Sequence, residues 1–418
     1  MTVVEEKAKS EADRRRSRLP SLTGMRFLAA LAVFGFHSSL QIPANSVFAH
    51  DGVADTYQKI MSQAGAAGVT FFFVLSGFVM TWSYKPHDRN VDFWRRRLVK
   101  IYPNHVVTWA VALLLFAAVY THPYQAVANL FLVQAWIPEY DTYLSVNPPS
   151  WSLSTEVAFY LLFPLVFAVA RKIREQYLWW FVWLTVALVA ITALVAYVLL
   201  PEHPRPPDGL PISTYQYWVN YVFPPLRLFD FFLGILLARI VLAGRWVRLG
   251  IGPLVLALLG CYTVSLFVPY LYGMRAVCIV PLALLIPAIA TSDVRGERSF
   301  LRGRTMVWLG EISFAFYLVH AIVLVTGREL LGDSYFGTPL ATGVLLLYLV
   351  LSILLAWALY EFVEKPTTKH WSKPKKKGSG KRNSAAAESL GAGGSRNERA
   401  VDSAVGENES RSSATADR

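Results

Sequence analysis

Residues 178–200 read LWWFVWLTVALVAITALVAYVLL, a run without a single charged side chain. At about 1.5 Å per residue, a helix of this length crosses the roughly 30 Å hydrocarbon core of a bilayer. Nine further apolar runs of comparable length lie near 22–41, 66–84, 103–120, 152–170, 222–243, 249–270, 274–291, 306–327 and 339–362. The sequence therefore predicts an all-α integral membrane protein with about ten transmembrane helices.

Composition supports this class. Hydrophobic residues make up 54% of the 418-residue chain and charged residues only 16%, whereas soluble globular proteins carry roughly 25% charged residues. A shorter apolar run near 127–138 is expected to be interfacial or re-entrant, because it is too short to span.

The distribution of lysine and arginine predicts the orientation. Of the 40 basic residues, 34 fall in six segments, namely 1–21, 85–102, 171–177, 239–248, 292–305 and 363–418. Since cytoplasmic loops are enriched in these residues, we expect a multi-pass protein of the cytoplasmic membrane with both termini in the cytoplasm. This pattern also explains the net charge of +12, so no nucleic-acid partner is predicted.

The sequence predicts that the chain is divided into three regions. Residues 1–21 form a basic cytoplasmic N-terminus, 22–366 a multi-pass domain, and 367–418 a disordered cytoplasmic tail. The stretch from about 373 onward is rich in Lys, Gly, Ser, Ala and Glu and lacks aromatic residues, so it cannot bury enough apolar area to fold. Its basic cluster is expected to lie against anionic lipid headgroups.

Ionisable residues inside a membrane span are candidates for function, because each costs about 2.5–3.5 kcal/mol to insert. Arg26 and His37 lie 11 residues apart in the first run, so they share one helix face about 16 Å apart along the axis. This spacing suits a long ligand with an anionic end beside Arg26 and a reactive end beside His37. Alternatively, Arg26 snorkels to lipid phosphates and His37 is simply hydrogen-bonded.

A second candidate group begins the helix near 152–170. Glu156 is expected about one turn inside the membrane, with Ser152 and Tyr160 four residues to either side on the same face, and Trp151 starts this segment. Glu156 could instead complete a capping box at the helix start.

Two other spans carry polar residues with helical spacing. Arg227 and Asp230 are three residues apart and could form part of the site or an internal ion pair. Ser313, Tyr317 and His320 share one face, and His320 is expected at a depth similar to His37, either in the site or as a packing residue.

The stretch 95–103 (RRRLVKIYP) offers Arg95, Arg96, Arg97 and Lys100 as a phosphate clamp for a nucleotide-bearing donor. The excess of positive charge in cytoplasmic loops accounts for the same residues without any ligand.

Other signatures are missing from the sequence. It has no G-x-x-x-x-G-K-[ST] phosphate loop, so no ATP-driven pump is indicated, and the absence of G-x-S-x-G weakens a serine-hydrolase interpretation. No His/Cys cluster has zinc spacing, and we expect no bound metal or cofactor. Gly65, Gly68 and Gly77 are expected to allow close helix packing.

Taken together, these motifs resemble the membrane-bound acyltransferase family 3. Seven segments follow the order of that family over residues 20–366. They are LTGMRFLAALAVFGFH (22–37, ending at His37), GVTFFFVLSGF from 68, RRRLVKIYP from 95, WSLSTE from 151, RLFDFFLG from 227, ISFAFYLVH from 312 and EFVEKP from 361. The resemblance implies O-acylation with an acyl-CoA donor, most simply acetyl-CoA, and Arg26 and His37 as the essential pair. It also implies a hydroxylated acceptor such as a surface glycan, a lipid-linked sugar or a macrolide-like product.

Two positions depart from the family pattern. Lys100 stands where arginine is commoner and Asp230 where glutamate is commoner. Both keep the charge and change the reach of the side chain, so donor contacts at these positions are less secure.

The resulting hypothesis makes His37 the general base, with Glu156 orienting His37 or holding the acceptor. Arg26, Arg95, Arg96, Arg97 and Lys100 would bind the donor, and Trp151, Ser152, Arg227, Asp230, Tyr317 and His320 would support the acceptor or the oxyanion. Two alternatives stay open. One is a transporter with a His/Glu/Arg path, which would be expected to show inverted repeats that this sequence lacks. The other is a membrane protein that binds glycan without catalysis.

Overall fold

A computed structural model describes residues 19–41, 45–85, 89–207 and 209–371 of the chain. Helices dominate these residues because the apolar runs must satisfy their own backbone hydrogen bonds inside a membrane. The longer helices, numbered in chain order, are α1 Pro20–Ser39, α2 Asp51–Met61, α3 Ala64–Trp82, α4 Asn90–Leu115, α5 Pro123–Leu130, α6 Trp151–Lys172, α7 Leu178–Leu199, α8 Pro224–Leu242, α9 Ile251–Ser265, α10 Ile279–Arg295, α11 Arg304–Leu331 and α12 Thr338–Leu359.

Seven helical segments within the described ranges are long and apolar enough to cross a membrane: Asp51–Trp82, Asn90–Leu115, Pro148–Lys172, Glu175–Leu199, Tyr270–Arg295, Arg304–Leu331 and Thr338–Trp371. Each of the ten predicted runs is helical, but α1, α8 and α9 fall outside this set. α9 has only 15 residues, and α8 carries Arg227, Asp230 and Arg239. The protein is therefore a multi-pass membrane protein, and the count of about ten spans stays a prediction.

The centre of the bundle is α3, which packs between α1 and α8. Gly77 of α3 and Gly234 of α8 bring the two backbones together, since a Cβ on either would overlap a carbonyl oxygen of the other helix. Gly65 and Gly68 contact α1 in the same manner, at Phe36 and at the Ala29 carbonyl. The expected role of these glycines in close packing is confirmed.

Several helix ends meet at one side of the bundle, which we call the basic end. The Ser21 hydroxyl at the start of α1 donates to Asp293 in α10 at 2.6 Å, and Arg239 of α8 donates to the Ile173 carbonyl after α6. Arg245 pairs with Glu175 at 3.4 Å. Because α1 begins at this end and α6 finishes there, the end of α1 and the start of α6 lie at the opposite end.

The segment 127–138, predicted to be interfacial or re-entrant, forms no long helix. The short α5 is followed by a turn of 3₁₀-helix at Gln134–Trp136. This layer packs on α4, where the indole of Trp109 donates to the Ala126 carbonyl and Nε2 of His105 lies 3.0 Å from the Asn129 carbonyl.

The C-terminal helix extends further than predicted. After α12 the chain makes a π-helical turn at Tyr360–Glu364 and continues as a helix over Lys365–Trp371, so the first residues of the predicted disordered tail are helical. The Asn104 amide, which donates to the Glu364 carboxylate at 2.7 Å, ties this segment to α4. The remainder of the predicted tail and residues 1–18 lie outside the described residues.

Candidate active site

A cavity of about 140 Å³ lies in the middle of the bundle. Five helices form its wall: α1, α3, α4, α6 and α11. Its lining residues are Arg26, Val69, Phe72, Phe73, Leu75, Ser76, Val79, Met80, Arg97, Lys100, Ile101, Ser152, Leu153, Glu156, Tyr160, Ser313, Phe314 and Tyr317. We call this space the central cavity.

The polar lining of the central cavity is mostly cationic. Arg26, Arg97 and Lys100 converge on it from α1 and α4, and Glu156 is the acidic residue among the described residues that line it. Oε1 of the Glu156 carboxylate accepts a hydrogen bond from the Tyr160 hydroxyl at 2.5 Å. A membrane-embedded space with this charge excess is suited to an anionic ligand.

Tyr317 and Ser152 form the polar contact nearest the opposite end. Their hydroxyl oxygens are 2.8 Å apart, and both hydroxyls reach the Pro149 carbonyl, Tyr317 at 3.1 Å and Ser152 at 2.9 Å. The two prolines at 148–149 begin a 3₁₀ turn that leads into α6, and this turn presents the carbonyl. Two adjustable hydroxyl donors therefore face the cavity at one point.

Next to Tyr317 is a pair of histidines from different helices. The rings of His37 in α1 and His320 in α11 have centroids 5.1 Å apart, and the centroid of Tyr317 lies 5.9 Å from that of His320. His320 is completely buried, whereas His37 remains partly exposed.

Backbone carbonyls determine the tautomers of this pair. Nδ1 of His320 lies 3.2 Å from the Phe316 carbonyl oxygen, and Nδ1 of His37 lies 3.0 Å from that of Val33. Because a carbonyl oxygen can only accept, each Nδ1 carries the proton when the rings are neutral. Nε2 of His320 is then an acceptor 3.1 Å from Nδ1 of His37. Nε2 of His37 is left without a proton and can take one.

The central cavity stops short of His37. Arg26 lines it, but His37 does not, and Tyr317 separates the lining from the histidine pair. Glu156 does not orient His37 in this structure, since its partners are Tyr160 and, at 3.5 Å, Ser76.

Several residues predicted for the site lie away from the central cavity. Trp151 is buried between Phe73 and Tyr221, with ring centroids 6.2 and 4.8 Å away, and does not line the cavity because its ring fills the core. Arg95 lies 3.3 Å from Asp92, one turn earlier on α4, and therefore turns away from the cavity.

Arg227 and Asp230 form an internal ion pair, the plainer of the two interpretations of their spacing. Their charged atoms are 3.2 Å apart, and both side chains are fully buried. Arg275 completes the cluster at 3.0 Å from Asp230. Two guanidinium groups thus share one carboxylate, and the Arg227 guanidinium also lies over the Phe73 ring at 4.7 Å.

Sequence reasoning missed Glu364. Its carboxylate accepts a hydrogen bond from Asn104 and interacts electrostatically with Lys100 and Arg26. Glu364 therefore offsets part of the positive charge of the central cavity without lining it. A carboxylate directly after an apolar run, within EFVEKP, was the available signal.

A second cavity adjoins the first at the basic end. Met80 and Arg97 line both, and the second has a volume of about 550 Å³. We call it the vestibule. Arg96 lines the vestibule but not the central cavity, Arg97 lines both, and Arg95 pairs with Asp92.

Comparison with known proteins gives the chemical class. The sequence model of the family described as an acyltransferase domain (Acyl_transf_3) matches residues 19–361. The chain is 40% identical to the acyltransferase MdmB of Streptomyces mycarofaciens, over 84% of this chain and 91% of that protein. No solved structure matches significantly.

More distant relatives carry names that specify a reaction. The chain is 26% identical to a putative peptidoglycan O-acetyltransferase, YrhL of Bacillus subtilis, over 83% of this chain and 54% of that protein. It is 24% identical to the O-acetyltransferase OatA of Staphylococcus aureus, over 86% of this chain and 60% of that protein. The chain thus spans little more than half the length of these two. The family match and the relatives together establish that this chain belongs to acyltransferase family 3 and is an O-acyltransferase.

Proposed function

We propose that the protein transfers an acetyl group from acetyl-CoA to a hydroxyl of a carbohydrate or natural-product acceptor. One observation carries this proposal: three cations line a cavity whose wall includes Tyr317, and the Tyr317 ring lies beside the pair of His320 and His37. A coenzyme A thioester has the matching shape, with phosphates at one end and a reactive carbonyl at the other.

The donor enters from the basic end in this proposal, which corresponds to the cytoplasm because lysine and arginine concentrate in cytoplasmic loops. The protein would then lie in the cytoplasmic membrane with both termini on the cytoplasmic side. Arg26, Arg97 and Lys100 bind the diphosphate, and the pantetheine arm runs along the apolar wall of α3. The acceptor approaches from the opposite end, where His37 remains partly exposed.

The tautomer assigned to His37 determines which of its nitrogens acts in the acetyl-transfer step. Nε2 of His37 takes the proton of the acceptor hydroxyl, whose oxygen forms a bond to the thioester carbonyl carbon. The C–S bond then breaks, and the thiolate leaves with the proton returned from His37. The products are the acetyl ester and the free thiol of coenzyme A, so atoms and charge balance.

Hydroxyls stabilise the oxyanion in this scheme. Tyr317 and Ser152 stand between the central cavity and the histidines, and either hydroxyl can turn from the Pro149 carbonyl toward the thioester oxygen. Glu156 and Tyr160 then hold the acceptor or the amide groups of the donor arm.

The proposal is tested with purified protein in sealed lipid vesicles and acetyl-CoA labelled in the acetyl group. Candidate acceptors are peptidoglycan fragments, lipid-linked sugars and macrolide-like hydroxyl compounds. We expect labelled ester and stoichiometric free thiol only when an acceptor is present. Labelled substrate that crosses the bilayer unchanged, with no thiol released, would favour a transporter.

His320 is expected to position His37. In a membrane interior a neutral imidazole can accept the Nδ1 proton of His37 without the cost of a buried carboxylate. His320→Phe removes that acceptor, and we expect kcat to fall about 10²-fold, since misplacing a catalytic group by about 1 Å has that effect. His320→Gln restores an acceptor oxygen and should recover part of kcat, with the KM for acetyl-CoA unchanged in both variants. Equal losses for Phe and Gln would reject the hydrogen-bonding role.

A further inference from the structure

The vestibule is lined by residues from the end of α3, the α3–α4 connection, α4 and the second half of α6. They are Met80, Ser83, Tyr84, Lys85, Asn90, Phe93, Arg96, Arg97, Phe163, Pro164, Phe167, Ala168 and Arg171. Met80 and Arg97 also line the central cavity, so the two spaces meet at these residues.

Cations enter the vestibule from two separate parts of the sequence. Lys85 and Arg96 come from either side of the α3–α4 connection, and Arg171 comes from the end of α6, about 75 residues further along. Among the described residues that line this space, none is acidic. The positive-inside rule explains basic residues at this end but not their convergence on one cavity. This charge pattern suits a ligand with several negative charges.

Aromatic rings form the other wall of the vestibule. The Phe163 ring stacks on both Phe93 and Phe167 with centroids 5.2 Å apart in each case, and the Tyr84 ring lies 4.7 Å from that of Phe167. The Arg171 guanidinium lies over the Phe167 ring at 5.9 Å. A phosphate on this guanidinium would therefore sit beside an aromatic surface.

Aromatic surface next to arginines is the chemistry that binds a nucleotide, because the base contacts the rings while the phosphates contact the guanidinium groups. A lipid headgroup would use the cations but would gain little from the ring wall. We infer that the vestibule binds the 3′-phosphoadenosine end of coenzyme A, with Lys85, Arg96 and Arg171 on the 3′-phosphate and the purine against the aromatic wall. This inference rests on the proposed use of acetyl-CoA and adds the part of the donor that is recognised outside the central cavity.

The test compares two donors that carry the same thioester. Acetyl-CoA has the nucleotide, and acetyl-4′-phosphopantetheine lacks the adenosine and its 3′-phosphate. The variant is Lys85→Gln with Arg171→Gln, since both side chains are exposed and their loss should leave folding intact. Lys172→Gln is the matched control, because Lys172 neighbours Arg171 and lines a different groove.

We expect the KM of the double variant for acetyl-CoA to rise at least tenfold with kcat unchanged. Its KM for acetyl-4′-phosphopantetheine should equal that of the unaltered protein, and Lys172→Gln should change neither. Direct binding of labelled adenosine 3′,5′-bisphosphate should weaken by a similar factor in the double variant, and this measurement needs no turnover.

Three outcomes would overturn the inference. They are an equal loss with both donors, unchanged binding of adenosine 3′,5′-bisphosphate, and an effect that disappears when anionic lipids are replaced by phosphatidylcholine, which would assign the vestibule to a lipid headgroup. Failure of the unaltered protein to use either donor, with bisphosphate binding intact, would instead reject the proposed function.

Discussion

Replacing His37 with alanine is expected to lower kcat about 10²- to 10⁴-fold, the usual contribution of a general base. In the assigned tautomers Nε2 of His320 faces Nδ1 of His37, so Nε2 of His37 is the nitrogen of the pair that can take a proton from the acceptor, and removing the ring leaves no base at that point. Acetyl-CoA should still bind with an unchanged Kd, since His37 does not line the central cavity. Thiol release and ester formation measured with the purified variant check both statements.

His50→Ala is the matched control for this variant. His50 lies at the start of α2 with an exposed side chain, and its loss should leave the rate unaltered. Transfer by His37→Ala at the rate of the unaltered protein, with both proteins equally well folded, would remove His37 from the mechanism.

Replacing Arg26 with glutamine is expected to lower kcat/KM for acetyl-CoA about 10²-fold, through KM, because a charge-assisted contact to phosphate is lost from a water-poor cavity. The same change should preserve or raise thermal stability, since a charge inside a span costs about 2.5–3.5 kcal/mol. The neighbouring carboxylates of Glu364 and Glu156 keep their electrostatic interaction with Lys100. Initial rates and thermal unfolding in detergent measure the two effects.

Arg174→Gln removes an arginine from the same end of the bundle without touching either cavity, so its kinetics should match those of the unaltered protein. A stability loss in Arg26→Gln that parallels its activity loss would mark Arg26 as a structural residue and contradict donor binding.

The fold could be predicted as far as single helices are concerned. Each of the ten long apolar runs became a helix, since the length and the lack of charge in a stretch such as 178–200 are local properties. The number of spans could not be settled in this way, because α8 carries three charges, and two of them, Arg227 and Asp230, are compensated in a buried cluster with Arg275 from a distant part of the sequence. Arg275 shows the same limit: its partner Asp230 lies 45 residues away, so only the folded chain reveals the pair.

For the candidate site, contacts within one helix were predictable and contacts between helices were not. The spacing of Glu156 and Tyr160 predicted a shared face, and the structure joins them by a hydrogen bond. His37 and His320 were predicted at similar depth, but their direct contact spans 283 residues of sequence. Spacing also could not show that Tyr317 separates Arg26 from His37, since that depends on which helices surround α1.

The most direct test is a cryo-electron microscopy structure in nanodiscs with a non-transferable acetyl-CoA analogue whose thioester sulfur is replaced by methylene. The phosphates should lie at the basic end beside Arg97, and the carbonyl carbon should lie next to Tyr317, on the side facing His37. An analogue that enters from the opposite end, or that leaves the central cavity empty while occupying the lipid-facing surface, would contradict the donor path.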